Sequence, residues 1–233
     1  MSFDACRDFL VASFPDLTAE QLGRFERMEP LYRDWNAKIN VISRKDMDAF
    51  YEHHVLHSLA IARYVSILGE GFLPSEPHTV LDLGTGGGFP GIPLAVLFPK
   101  WRFTLCDSIG KKTRVAAAVA GSLGLDNVEV VNARAESLPG TFDFVVSRAV
   151  TTLDRFFPWV GDKFSQAVFY LKGGDVNPEI SDLLRKCGLH PSAVHVWGID
   201  SFIRDDYFSE KFVIHIEKNY LCSPKSVKYK NKR

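Results

Sequence analysis

Thr79-Val-Leu-Asp-Leu-Gly-Thr-Gly-Gly-Gly-Phe-Pro-Gly-Ile-Pro-Leu-Ala-Val-Leu-Phe98 decides the fold. Its first five residues are a short apolar run that ends in glycine, the pattern of a buried strand leaving a sheet and turning sharply. Gly84, Gly86, Gly87 and Gly88 follow. Side chains there would hold a ligand away from the backbone, so the run predicts a turn that hugs a ligand. Pro90 suits the first turn of a helix carrying Ile92, Leu94, Ala95, Leu97 and Phe98. Strand, glycine turn and helix together open a nucleotide-binding α/β fold.

Downstream of this stretch, strands and helices alternate, the mark of a parallel sheet with crossovers. Strands are expected at 102–107, 128–131, 142–147, 167–171, 194–197 and 212–216, and helices at 111–123, 153–160 and 179–187. The last strand is expected to be antiparallel, because a loop and no helix separates it from the one before. Upstream, residues 2–14 read as a helix stopped by Pro15. Thr18 with Gln21 has capping-box spacing, and a stripe from Leu22 to Ile39 follows it. Pro30 is expected to kink or divide that helix. Ser43 with Asp46 starts another stripe, running from Met47 to Tyr64. Residues 1–70 therefore read as a helical cap, 71–223 as the α/β domain and 224–233 as a tail.

A chain of 233 residues suits one α/β domain with a modest extension. Hydrophobic content of 46% with 24% charge is that of an ordinary soluble globular protein. No apolar run approaches the roughly 20 residues that span a bilayer. The N-terminus has no basic segment followed by an apolar one, so no secretory signal is expected. Four cysteines, far apart and without a Cys-x-x-Cys pair, read as reduced thiols. A cytoplasmic location and no membrane association follow. The net charge of zero hides an asymmetry, since the last ten residues carry five basic groups and no acid. Such a tail is a candidate phosphate-binding arm as well as a solvated terminus.

In an open parallel sheet, ligands sit beyond the carboxyl ends of the strands. Asp82 and Gly84 end the first strand and Asp107 the second, where an acid can accept both hydroxyls of an adenosine ribose. Dinucleotide dehydrogenases, nucleotide-phosphate binders and methyltransferases using S-adenosylmethionine share that layout. Counted from the strand end, the order is Asp82-x-Gly84-x-Gly86-x-Gly88. A dehydrogenase register would want glycine where Phe89 stands, and no Gly-Lys-Ser/Thr marks a Walker-type phosphate site. Asp82 suits a ligand with an amino-acid end, because a carboxylate can organise the loop around an ammonium. S-adenosylmethionine carries one.

The segments 82–95, 105–112, Asn127-Val, Arg134-Ala-Glu136 and Ser147-Arg-Ala149 resemble the RsmG (GidB) family, bacterial methyltransferases that modify guanine N7 in small-subunit (16S) ribosomal RNA. Residues 31–40 and 54–59 are similar to the family's N-terminal pattern, so the resemblance covers nearly the whole chain. It implies a class I S-adenosylmethionine-dependent methyltransferase fold, a Rossmann-like seven-stranded sheet with an N-terminal helical extension. It also implies cofactor contacts at Gly84 and Phe89 in the first loop, Asp107 at the ribose, Ala135 and Glu136 near the adenine, and Arg148 near the fourth strand. The expected cofactor set is thus Asp82, Gly84, Gly86, Gly88, Phe89, Asp107, Ala135, Glu136 and Arg148.

Two departures stand out: the family usually has Arg or Lys at the place of His53 and Asp at that of His57. His53 and His57 have i, i+4 spacing, yet no third metal ligand stands nearby, so no metal is expected. Guanine N7 carries a free lone pair, so alignment without a general base is expected to suffice. Arg44, Lys111, Lys112, Arg114, Arg148, Lys172, Lys228 and Lys230 are the candidate contacts to 16S ribosomal RNA or a small-subunit precursor. The protein is expected to be monomeric. A methyltransferase acting on a protein or small molecule, and a dinucleotide-dependent oxidoreductase, are the alternative readings.

Overall fold

Residues 1–69 and 76–218 are described by the computed structural model. Lys228, Lys230, Cys222 and the basic tail lie outside the described residues, as does the expected boundary at residue 70. Four helices come first: α1 (Phe3–Ser13), α2 (Ala19–Asn36), α3 (Arg44–Asp48) and α4 (His57–Leu68). Local chemistry sets their starts. The Thr18 hydroxyl accepts from the Gln21 amide, and the Gln21 side chain returns a bond to the Thr18 N–H, a complete capping box. Ser43 caps α3 in the same way through the Asp46 N–H.

Pro30 does not divide α2, contrary to one of the expected outcomes. A proline N cannot donate to the carbonyl four residues back, which orphans the Glu26 oxygen. The Tyr51 hydroxyl donates to that oxygen at 3.0 Å, so the bond lost within the helix is replaced from a neighbouring segment. Tyr51 itself opens a π-helical turn, Tyr51–Leu56, which interrupts the stripe read as continuous from Met47 to Tyr64.

The sheet follows: β1 (Thr79–Leu83), β2 (Arg102–Asp107), β3 (Val128–Asn132), β4 (Phe142–Arg148), β5 (Phe164–Gly173), β6 (Val194–Gly198) and β7 (Lys211–Glu217). Their order is β3-β2-β1-β4-β5-β7-β6. β7 is antiparallel to both β5 and β6, and the other pairings are parallel. Crossovers are made by α5 (Gly91–Leu97), α6 (Gly110–Leu123), α7 (Leu153–Val160) and α8 (Asn177–Cys187). β5 is longer than its apolar run predicts, because its ends are carried by pairing with β4 and β7 rather than by side-chain hydrophobicity.

One apolar cluster joins the N-terminal helices, α5 and α6 to one sheet face through residues such as Phe25, Leu59, Val115 and Phe144. The other face packs on α7 and α8 through Leu81, Val145, Phe156 and Leu183. Gln21 also ties α2 to the sheet layer, its side-chain Nε2 donating to the carbonyls of Val96 and Leu97 at the end of α5. The chain order reverses between β2 and β4 on either side of β1, and a crevice opens beyond their carboxyl ends.

Candidate active site

A cleft of about 500 Å³ lies at that crevice. Gly84, Gly86, Phe89, Asp107, Ala135, Glu136 and Arg148 of the expected cofactor set all border it, as does Lys112. Asp82 and Gly88 of that set do not border it. Asp82 is fully buried beneath the loop, where its Oδ2 accepts from the Thr85 hydroxyl at 2.6 Å and the Gly91 N–H at 2.8 Å. It therefore shapes the loop from below. Burial outweighs these hydrogen bonds and pushes its carboxyl up to about 7. A Cβ at Gly88 would meet Ile92 at 2.4 Å and the Tyr32 hydroxyl at 3.0 Å, so this glycine permits packing.

Gly86 behaves differently. Its φ is +58° and nothing lies within 4 Å of where a Cβ would stand, so it faces open cleft. Its N–H donates to Asp107 Oδ2 at 3.0 Å, while Oδ1 accepts from the Ile109 N–H at 2.8 Å. Two backbone donors thus fix the Asp107 carboxylate at the end of β2, and each oxygen retains a lone pair. The loop is anchored at β2 as well, with Gly84 and Thr85 N–H groups donating to the Cys106 carbonyl. Val41 and Val150 flank it, lying 3.0 Å from a Cβ at Gly87 and 2.3 Å from one at Gly84.

Arg148 ends β4, and the next residue, Ala149, has φ +48°, a costly conformation that turns the chain abruptly. The guanidinium donates to the His53 carbonyl at 3.0 Å and meets His54 Nδ1 at 2.9 Å. It also lies 5.2 Å from the Phe89 ring centroid. Because Arg148 can only donate, His54 Nδ1 must be the acceptor, and burial with the adjacent cation drives the His54 imidazole down to about 3. No carboxylate lies within ion-pair distance of Arg148 among the described residues, so an anion in the cleft would be its first. Phe89 is buried against Tyr32, at 4.7 Å between centroids, and Tyr32 donates to the Gly87 carbonyl at 2.8 Å.

The other two histidines are also committed. His53 stacks on Tyr207 at 3.7 Å and bonds Asp46 through Nδ1 at 3.0 Å, while buried His57 faces the Tyr207 hydroxyl.

Lys172, another candidate RNA contact, is engaged within the chain. Its ammonium donates to the Thr151 carbonyl at 2.9 Å and pairs with Glu179 at 3.0 Å. Arg44, Lys111 and Arg114 are exposed.

Several cleft residues escaped the sequence reading. Val41 is placed by Asn36, whose Oδ1 accepts from the Val41 and Ile42 N–H groups. Asn36 carries the signal of a turn residue, but not of what the turn aims. Val150 and Trp159 reach the cleft from the β4–α7 connection and α7, with no local pattern to announce it. The Tyr170 hydroxyl pins that connection, accepting from the Val150 and Thr151 N–H groups and donating to the Thr151 carbonyl.

The GidB family model, described as rRNA small subunit methyltransferase G, matches residues 21–199. The chain belongs to this family. A relative from Flavobacterium psychrophilum, named ribosomal RNA small subunit methyltransferase G, is 48% identical over 89% of this chain and 96% of its own. One of the same name from Porphyromonas gingivalis is 44% identical over 93% and 96%. Among solved structures, magnesium protoporphyrin IX methyltransferase from Synechocystis, described with bound SAM, superposes with a TM-score of 0.58 at 13% identity, covering 93% of this chain and 96% of that one. The human methyltransferase 10 domain containing protein gives 0.52 at 15% identity over 70% and 82%. These last two share the class I methyltransferase fold. Family membership and fold together make the chain a methyltransferase, and they exclude the oxidoreductase reading. No helix among the described residues is long and apolar enough to cross a membrane.

Proposed function

We propose that this S-adenosylmethionine-dependent methyltransferase of small-subunit ribosomal RNA holds its cofactor against Gly86 and delivers the methyl group to N7 of one guanine in 16S RNA. The observation that carries the reading is the open cradle at Gly86, a glycine with positive φ facing the cleft with no protein atom within 4 Å of a Cβ, beside a carboxylate at the end of β2. The cleft suits the cofactor's parts. In this reading Asp107 takes the ribose hydroxyls, Ala135 and Glu136 the adenine, and Arg148 an anionic group, whether the cofactor's carboxylate or an RNA phosphate; that all four border one cleft supports it.

When bound, S-adenosylmethionine supplies a methyl carbon on a cationic sulfur, which keeps the bonding electron pair as N7 takes the carbon. Neutral guanine offers N7 as a free lone pair, so the chain's residues need remove no proton. Their work is to align and to exclude water, and alignment alone is worth about 7–11 kcal/mol of barrier. Val41 and Val150 flank the loop with apolar surface, and the turn at Ala149 fixes the direction of Arg148. Lys112, which borders the cleft, and the exposed Arg44, Lys111 and Arg114 are the candidate contacts for RNA phosphates. Lys228 and Lys230 are further candidates in the tail. We take the chain to act as a monomer in the cytoplasm, with residues 1–70 as a cap that walls the cleft through Val41.

Calorimetric titration with S-adenosylmethionine tests the cofactor assignment. Saturable binding at one equivalent is expected, with the demethylated product S-adenosylhomocysteine competing. Binding of a nicotinamide dinucleotide in its place would refute it.

A further inference from the structure

A second constellation lies away from the cleft, where β6 meets β7. His195 and His215 are direct cross-strand partners, and Glu217 stands two residues beyond His215. Side chains alternate between faces along a strand, so positions 215 and 217 project to one face, and the partner opposite 215 projects beside them. The sheet thus brings two imidazoles and a carboxylate together from segments twenty residues apart in sequence. One donor atom from each lies within 4.8 Å of the other two.

We infer that His195, His215 and Glu217 form a binding site for a zinc-class divalent cation at the β6–β7 edge of the sheet. Two imidazoles with one carboxylate are a donor set zinc prefers, with a water left to complete a tetrahedron. Metal–ligand bonds of about 2.0–2.2 Å place tetrahedral donors roughly 3.3 Å apart. His195 Nε2 and Glu217 Oε1 are already 3.2 Å apart. His215 is fully buried beneath the exposed pair, and the Tyr64 hydroxyl lies 3.3 Å from its Nδ1, a contact that orients the ring. His195 and Glu217 keep 44% and 29% of their side chains exposed, leaving a path for the ion.

The charges around the site are compatible with a cation. The next residue, Lys218, turns its ammonium to the Gly161 carbonyl and the Phe164 ring and so does not compete for Glu217. A plain His195–Glu217 ion pair would need no third group such as His215. Bound there, the cation would clamp the edge strand β6 to β7 and leave the methyl-transfer cleft untouched.

The test uses the full chain without an affinity tag, stripped with a chelator. Zinc chloride is titrated in by calorimetry, and cobalt(II) by visible absorption. The expected results are one equivalent of zinc, the intense visible bands of four-coordinate cobalt, and a zinc-dependent rise in Tm. His195→Ala and Glu217→Gln, both on exposed side chains whose loss spares the core, should each weaken zinc binding by more than about tenfold. His190→Ala, at an exposed histidine outside the cluster, should leave it unchanged. The proposal is overturned by the absence of saturable one-equivalent binding, by wild-type affinity in His195→Ala, or by the weak spectrum of six-coordinate cobalt.

Discussion

At the scale of single residues, the glycines of the loop have separable jobs, and substitution distinguishes them. Gly86→Val places its side chain in open cleft, so the stability loss should be limited to the strain of positive φ, about 1–2 kcal/mol. Affinity for S-adenosylmethionine should nevertheless fall more than tenfold by calorimetry; wild-type affinity would remove Gly86 from the site. Gly84→Val adds a clash with Val150 to the same strain and should unfold at a lower temperature than Gly86→Val. His54 gives a pH prediction. Its imidazole falls from 6.5 to about 3 on folding, so between those values the unfolded chain binds more protons than the folded one. Stability from this group is full above about pH 6.5 and is lost as pH falls through that window. Gln in its place can still accept from Arg148 through its side-chain oxygen without titrating. Urea unfolding of His54→Gln at pH 4–6.5 should show a pH slope shallower than wild type by about 1.4 kcal/mol per unit, and an unchanged slope would contradict the assigned environment.

At the scale of elements, the β4–α7 connection is held by one hydroxyl and one ammonium that sequence patterns do not reveal. Tyr170→Phe removes the acceptor of two N–H groups and should cost about 1–3 kcal/mol in denaturant unfolding. Turnover should fall along with it, because Val150 borders the cleft. Retention of both stability and turnover would show that the connection holds itself. The strand ends were legible because a buried strand running into glycine is a local signal, and so were the Thr18 and Ser43 caps. The continuity of α2 through Pro30 was not, since it depends on a hydroxyl from Tyr51, twenty-one residues on. The internal partners of Lys172 were not legible for a similar reason. Nothing nearby in sequence shows that Glu179 and the Thr151 carbonyl occupy its ammonium.

At the scale of the whole molecule, the balanced net charge of the chain argues against strong binding to nucleic acid in general. Methylation should depend on a structured small-subunit substrate, with weak affinity for naked duplex. Replacing Lys112 with Ala should reduce the salt slope of RNA binding by about 1, as for one lost phosphate contact, whereas Lys172→Met should leave the slope unchanged. Equal effects of the two would contradict their placement. That Asp107 and Arg148 border one cleft was legible because both sit at strand ends beside the first glycine loop. The cap side, represented by Val41 and its Asn36 support, was not, because only the packing of α2 over the loop brings it there. The most direct measurement is chemical-cleavage mapping of N7-methylguanine in unmodified 16S RNA or small subunits incubated with this protein and S-adenosylmethionine. Cleavage at a single guanine, absent without the protein and lost with Gly86→Val, is the result predicted. A methyl group found on protein, on another base position, or indiscriminately on many guanines would contradict it.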